Sequence, residues 1–290
     1  SPNNEHQMID AYLKGERLIG EDFTDAQREQ WYAEESAAYL NLAYNDEDAY
    51  PYHELNQACA FDRMNPYRTP ITVVGIGSAH GQEFKQMVSE YLLLRDDRLI
   101  IVESDKRYWR SELTFTINGM TVYMPVTYVA PNADGSFPIE AGSVDVVTCF
   151  GVLHHIDKVS EALKNISRLL RPEGTALIRE PITSMGDWRQ PRAGLTKNER
   201  GIPLELFRDY IALSGMRIAE EHICGFAPLR KLVDRLAGRN IWSSYRLTRI
   251  DLALCTLYAA TVGAERIKYH QARFVDKLAP TNVFYNLRKV

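Results

Sequence analysis

The chain has 290 residues, with 34 Lys or Arg against 38 Asp or Glu and a formal net charge of −4. That length leaves room for one α/β domain with additions, and 45% hydrophobic with 25% charged residues is the composition of a globular protein. With no broad basic field, neither nucleic acid nor an anionic membrane is an expected partner. The four cysteines, Cys59, Cys149, Cys224 and Cys255, form no C-x-x-C pair, so no metal site is expected and buried free thiols in the cytoplasm are the plain reading. The N-terminus is polar and acidic rather than basic then apolar, and the longest apolar stretch, 252–264, is too short to cross a bilayer.

In chain order, residues 5–18 and 25–42 read as helices, and Thr24 or Asp25 suits the cap of the second. An acidic, turn-rich stretch at 44–51 precedes a helical piece around 53–61, and a Pro-rich break spans 65–70. Residues 71–74 are apolar and β-branched, and glycines follow at once: Gly75, Gly77 and Gly81, with Ser78 between them. Residues 82–94 then carry apolar side chains at helical spacing. Strand, glycine turn and helix together read as a nucleotide site of a parallel sheet. A dinucleotide fingerprint asks for a small residue where this chain has His80, so a pyrophosphate is disfavoured.

Residues 98–102 read as the next parallel strand, and Glu103 with Ser104 stands at its end. An acid about 20 residues past such a turn holds a ribose, because one carboxylate accepts from both hydroxyls of a diol. A helix is expected after Asp105, then an irregular strand region at 120–129 and a turn at 132–136 holding Asp134 and Gly135. Residues 143–150 form the next buried strand, ending in Phe150 and Gly151 where open sheets bind ligands. His154 and His155 open the following helix, and a strand at 175–179 leads to Glu180. Residues 182–203 read as a long loop, functional or mobile. A helix at 204–214 and a strand at 216–223 follow. Residues 229–236 and 249–277 have helical spacing, and 281–288 alternate like a terminal strand.

The runs ITVVGIGSAHGQEF, LIIVESD, SVDVVTCFGVLHHIDK and LLRPEGTALIREP, in that order over residues 70–181, resemble the class I S-adenosylmethionine-dependent methyltransferases. Residues 226–279 do not fit the family's minimal fold and read as a helical insertion before the last strand; the resemblance itself implies an α/β fold, a Rossmann-like, doubly wound seven-stranded sheet preceded by a helical N-terminal cap. It divides the chain into a cap at 1–69, a core at 70–225, an insertion at 226–280 and a terminal strand at 281–290. It implies S-adenosylmethionine as cofactor and methyl transfer to an oxygen or nitrogen of a small molecule, such as a sugar-linked or secondary-metabolite acceptor. It gives the acid in the 132–136 connection, Asp134 being the nearest match, a place at the adenine amino group, while an Asx turn explains Asp134 equally well. An acceptor that must lose a proton would need a base, and His155, His154 and Glu180 are the candidates, with His155 favoured. A dinucleotide-dependent oxidoreductase and a binding protein without turnover are the rival readings. The insertion is expected to serve as a lid, a substrate wall or a homodimer surface, and the sequence leaves the three open.

Overall fold

The structure is a computed structural model that describes residues 2–41, 50–65 and 70–290. Most of the acidic stretch at 44–51 and of the break at 65–70 therefore lies outside the described residues. Helices α1 (Pro2–Lys14), α2 (Asp25–Asn41) and α3 (His53–Cys59) precede the sheet. The core then runs β1 (Thr72–Ile76), α4 (Phe84–Ser89), β2 (Arg98–Val102), β3 (Glu112–Ile117), β4 (Met120–Pro125), β5 (Thr127–Val129) and β6 (Val144–Phe150). It continues through α5 (Val159–Leu169), β7 (Leu170–Pro181), α6 (Leu204–Leu213) and β8 (Met216–Phe226). Helices α7 (Ala227–Ala237) and α8 (Tyr245–Thr261) come before the last strand, β9 (Pro280–Lys289).

The main sheet has seven strands in the order β5-β2-β1-β6-β7-β9-β8. Strands β5, β2, β1, β6 and β7 are parallel, and β9 runs antiparallel between β7 and β8. The order reverses between β1 and β6, which opens a crevice at their carboxyl ends, the place where such sheets bind ligands. Alternation along β1 shows why the sheet is covered on both faces. Val74 and Ile76 join the core packed by Leu163 and Ile166 of α5 and Phe207 of α6. Val73 joins the opposite core with Leu55 and Cys59 of α3 and Phe84 of α4. Both faces bury apolar side chains, so the strands read as continuous apolar runs.

Three expectations change. The helix expected at 82–94 is only Phe84–Ser89. The chain leaves it at Tyr91, whose φ is 58°, and the Leu92 and Leu93 amides turn back to the Met87 carbonyl. The helix expected after Asp105 is a single 3-10 turn, Lys106–Tyr108, followed by the β3–β4 hairpin. The helical spacing at 249–277 holds only to Thr261, where the helix ends ahead of Gly263 at φ 100°, and short 3-10 turns replace it. Among the described residues no helix is long and apolar enough to cross a membrane.

Candidate active site

Strand β1 extends through Gly75, which belongs there because any Cβ would lie 2.2 Å from Ser78 Oγ and 2.6 Å from the Phe84 ring. The turn that follows needs left-handed backbone: Gly77 has φ 62°, Ala79 46° and Gly81 71°. A Cβ on Gly77 would meet Val152 at 2.7 Å, and one on Gly81 would meet Leu113 at 2.6 Å. These glycines let the turn lie close against the loop after β6 and against the hairpin. His80 leaves the turn toward Tyr108 and Arg110, with Nδ1 2.6 Å from an Arg110 nitrogen. The Ser78 hydroxyl does not face the crevice. It donates to Glu83 at 2.6 Å, as Thr148 also does at 2.6 Å. Glu83 is buried, and burial raises its pKa against the lowering effect of those two hydroxyls. It ties the turn to β6, and the sequence offered no signal for it beyond its place at a helix start.

Glu103, just past β2, is half-buried beside this turn. Its Oε2 accepts from the Ala79 amide at 3.2 Å and its Oε1 from the Asp105 amide at 3.1 Å. Burial pushes the carboxyl pKa up, and the backbone amides oppose that shift. An ionised carboxylate has about four acceptor positions, so about two remain for a ligand diol. Ser104 is exposed next to it. Asp134 and Gly135 are not brought to this edge. The exposed Asp134 accepts from the Ser136 amide at 2.9 Å and hydroxyl at 2.6 Å, an Asx turn, and the Gly135 carbonyl accepts from Asn165 on α5.

At the end of β6, Phe150 packs 5.5 Å from the Phe284 ring, and the Gly151 amide donates to the Arg179 carbonyl at 2.8 Å. Gly151 has φ 69° and starts the turn that carries both histidines. Glu180 is fully buried and spends its carboxylate on that turn: Oε1 accepts from the Val152 and Leu153 amides at 2.8 and 2.7 Å, and Oε2 lies 2.6 Å from His154 Nδ1. His154 Nε2 points at Glu199 Oε1, 3.4 Å away. Burial would lower the His154 pKa, yet the two carboxylates prevail and raise it to about 9. His155 turns the other way, with Nδ1 3.0 Å from Glu35 of α2. Burial and the neighbouring His154 charge lower its pKa. His154, His155 and Glu199 hold potential ligand atoms within 4.8 Å of one another. Here the protonated His154 ring already faces two carboxylates, with Nδ1 toward Glu180 and Nε2 toward Glu199.

Beyond Gly151 opens a cavity of 910 Å³. Its wall includes His154, Arg179 and Glu180 from the sheet edge, Glu199 from the 182–203 segment, Tyr52 ahead of α3, and Trp242 and Gln271 from between β8 and β9. His155, favoured from the sequence, does not line it, whereas His154 does. The reason is α2, whose Trp31 donates to the His155 carbonyl at 2.8 Å and whose Glu35 takes its ring. Nor is residues 182–203 a loose loop. Arg200 is fully buried and donates to the carbonyls of Ile19, Leu153, His154 and Asp157, while Arg192 reaches those of Met185, Thr196 and Lys197. Two guanidiniums thus supply the segment with the partners that regular secondary structure would give.

Residues 77–178 match a family model described as a methyltransferase domain. Among solved structures the chain is similar to an S-adenosylmethionine-dependent methyltransferase from Mesorhizobium loti, with 12% identity over 83% of this chain and 99% of that one and a TM-score of 0.48. It is also similar to phosphoethanolamine N-methyltransferase 2 from Haemonchus contortus in complex with S-adenosyl-L-methionine, with 15% identity over 94% and 60% and a TM-score of 0.48. The cyclase SpnF is similar at 12% identity over 82% and 79%, with a TM-score of 0.46. No curated protein sequence matches the chain.

Proposed function

We propose that this chain, whose residues 77–178 match a methyltransferase-domain model, is a class I S-adenosylmethionine-dependent methyltransferase that methylates an oxygen or nitrogen of a small molecule seated in the 910 Å³ cavity. The observation that carries the reading is Glu103, a half-buried carboxylate at a strand end, with two backbone amides on it and acceptor positions to spare. That is the chemistry a ribose diol needs. Gly77 and Gly81 have no room for a Cβ, and the Ser78 and His80 side chains turn to Glu83 and Arg110, which suits the turn's backbone to a close-lying ligand. When bound, the cofactor supplies an electrophilic methyl group on a sulfonium.

The chain's own work is then alignment and exclusion of water. Gly151 stands between the glycine turn and the cavity, which suits it to the point where methyl and acceptor meet. Of the three groups expected as bases, His154 alone has a ring facing the cavity without being spent on the turn. Its Nδ1 is taken by Glu180, so Nε2, only loosely held 3.4 Å from Glu199, is the nitrogen that can turn to an acceptor, as a donor while the ring is protonated and as a base only above about pH 9. Glu180 is a positioning residue for His154. Residues 226–280 serve as the acceptor wall, since Trp242, Gln271 and Lys277 line the cavity.

Glu103→Ala tests the reading. By calorimetry with S-adenosylhomocysteine it should weaken binding by about 1.5–3 kcal/mol for each charged hydrogen bond lost, with thermal stability little changed. An unaltered dissociation constant would remove Glu103 from the cofactor site and the reading with it.

A further inference from the structure

The cavity is cationic in a chain whose net charge is −4. Arg179, Arg230, Lys231 and Lys277 line it. The carboxylates facing them are already committed. Glu180 holds the histidine turn, and Glu199 accepts from the Thr196 amide at 3.0 Å while facing His154. Arg179 is only 5% exposed, and its Nη1 is buried with no hydrogen-bond partner. Its guanidinium lies 3.5 Å over the Tyr52 ring and 5.4 Å from the Phe150 ring, and among the described residues no carboxylate pairs with it. A second donor on the same wall, Gln271 Nε2, is also buried and unpartnered. The Tyr50 hydroxyl and the more distant charges of Glu180 and Glu83 favour the cation, but none of them meets Nη1; an unmet buried donor is costly, and a protein keeps such a group where a ligand supplies the missing partner.

We propose that the methyl acceptor carries an anionic group, carboxylate or phosphate, which the free edge of the Arg179 guanidinium receives together with Gln271 Nε2. A guanidinium offers parallel N–H donors that match two oxygens of either anion. Arg230, Lys231 and Lys277, exposed on the insertion side, draw the anion toward the cavity. Tyr52 and Trp242 supply flat apolar surface for the rest of the molecule. The assignment rests on the methyltransferase reading and names the acceptor class of the same site.

The test is calorimetry on the full chain saturated with S-adenosylhomocysteine, titrated at low salt with inorganic phosphate and then with acetate. One of the two anions should bind saturably at one site. Arg179→Met should weaken that binding about tenfold or more, as loss of a charged hydrogen bond requires, while S-adenosylhomocysteine affinity holds. If Arg179→Met fails to fold, Arg179→Lys, which keeps the charge and loses the fork, and the exposed-side Lys231→Ala should each weaken the anion. Stronger phosphate binding assigns a phosphorylated acceptor, and stronger acetate binding a carboxylated one. Absence of saturable binding for both anions overturns the proposal while leaving the methyltransferase reading intact. So does an Arg179→Met or Arg179→Lys protein that loses S-adenosylhomocysteine instead, for the guanidinium would then serve the cofactor's own carboxylate. Failure of the natural chain to bind S-adenosylhomocysteine at all counts against the methyltransferase reading instead.

Discussion

The two ends of the crevice are built in opposite ways. At the β1–β2 end a carboxylate, Glu103, faces a turn whose donors are backbone amides, and the residues that form it lie within 27 positions of one another, from Ile76 to Val102 with Glu103 next. At the β6–β7–β9 end the charge is positive and the parts come from the whole chain: Tyr52, Arg179, Glu199, Trp242, Gln271. In the proposed reading the first end takes neutral hydroxyls, which ask only for acceptors in fixed places. The second keeps a cation with an unmet donor, which asks for an anion. The contrast assigns one ligand to each end and makes the chain segments that join the second end the more vulnerable part of the molecule.

Arg200 is the sharpest way to break that second end. It is fully buried, and its donors satisfy carbonyls on the 19, 153, 154 and 157 backbone together. Arg200→Ala strands those acceptors and should cost on the order of 4 kcal/mol in urea unfolding. A loss below about 1 kcal/mol, the size of a single ordinary hydrogen bond, would mean that the 182–203 segment is held by something else.

The difference also explains what could be foreseen. The glycine turn and Glu103 follow one another in sequence, so spacing alone located them. The cavity end could not be assembled that way. His154 and His155 are neighbours on one turn, and what decides their roles is Glu35, 120 positions earlier, and Glu199, 45 positions later than His154. Arg179 reads in the sequence as the polar end of an apolar strand, and only packing shows its terminal nitrogen unmatched. Glu83 was equally hidden, since its partners Ser78 and Thr148 meet only when β1 and β6 pair. Asp134 shows the converse. A local Asx turn satisfies it, and local rules were enough to foresee that arrangement.

A smaller effect comes from protonation. His154 faces Glu180 and Glu199, with His155 beside it, and its folded pKa is raised from 6.5 to about 9. The folded state therefore prefers the protonated ring. The stability this contributes is fully present below about pH 6.5 and is lost as pH rises through about 9, a change on the order of 3 kcal/mol. Urea midpoints across that window should fall, and His154→Gln should flatten the fall. A profile equally steep in the variant would assign the proton to another group.

The smallest effect should come from Asp134. Its carboxylate is exposed and held below its ordinary pKa by the Ser136 hydroxyl and amide. Asp134→Ala should change S-adenosylhomocysteine affinity by no more than about twofold, the range of a surface substitution away from a ligand. A loss of tenfold or more by calorimetry would bring this turn into the cofactor end after all.

The most direct measurement is a crystal structure of the chain with S-adenosylhomocysteine. The division of the crevice predicts the ribose hydroxyls on Glu103, the sulfur beside Gly151, and the cavity between Arg179 and Trp242 left open for the acceptor. A nucleoside lodged in that cavity, with Glu103 untouched, would contradict it.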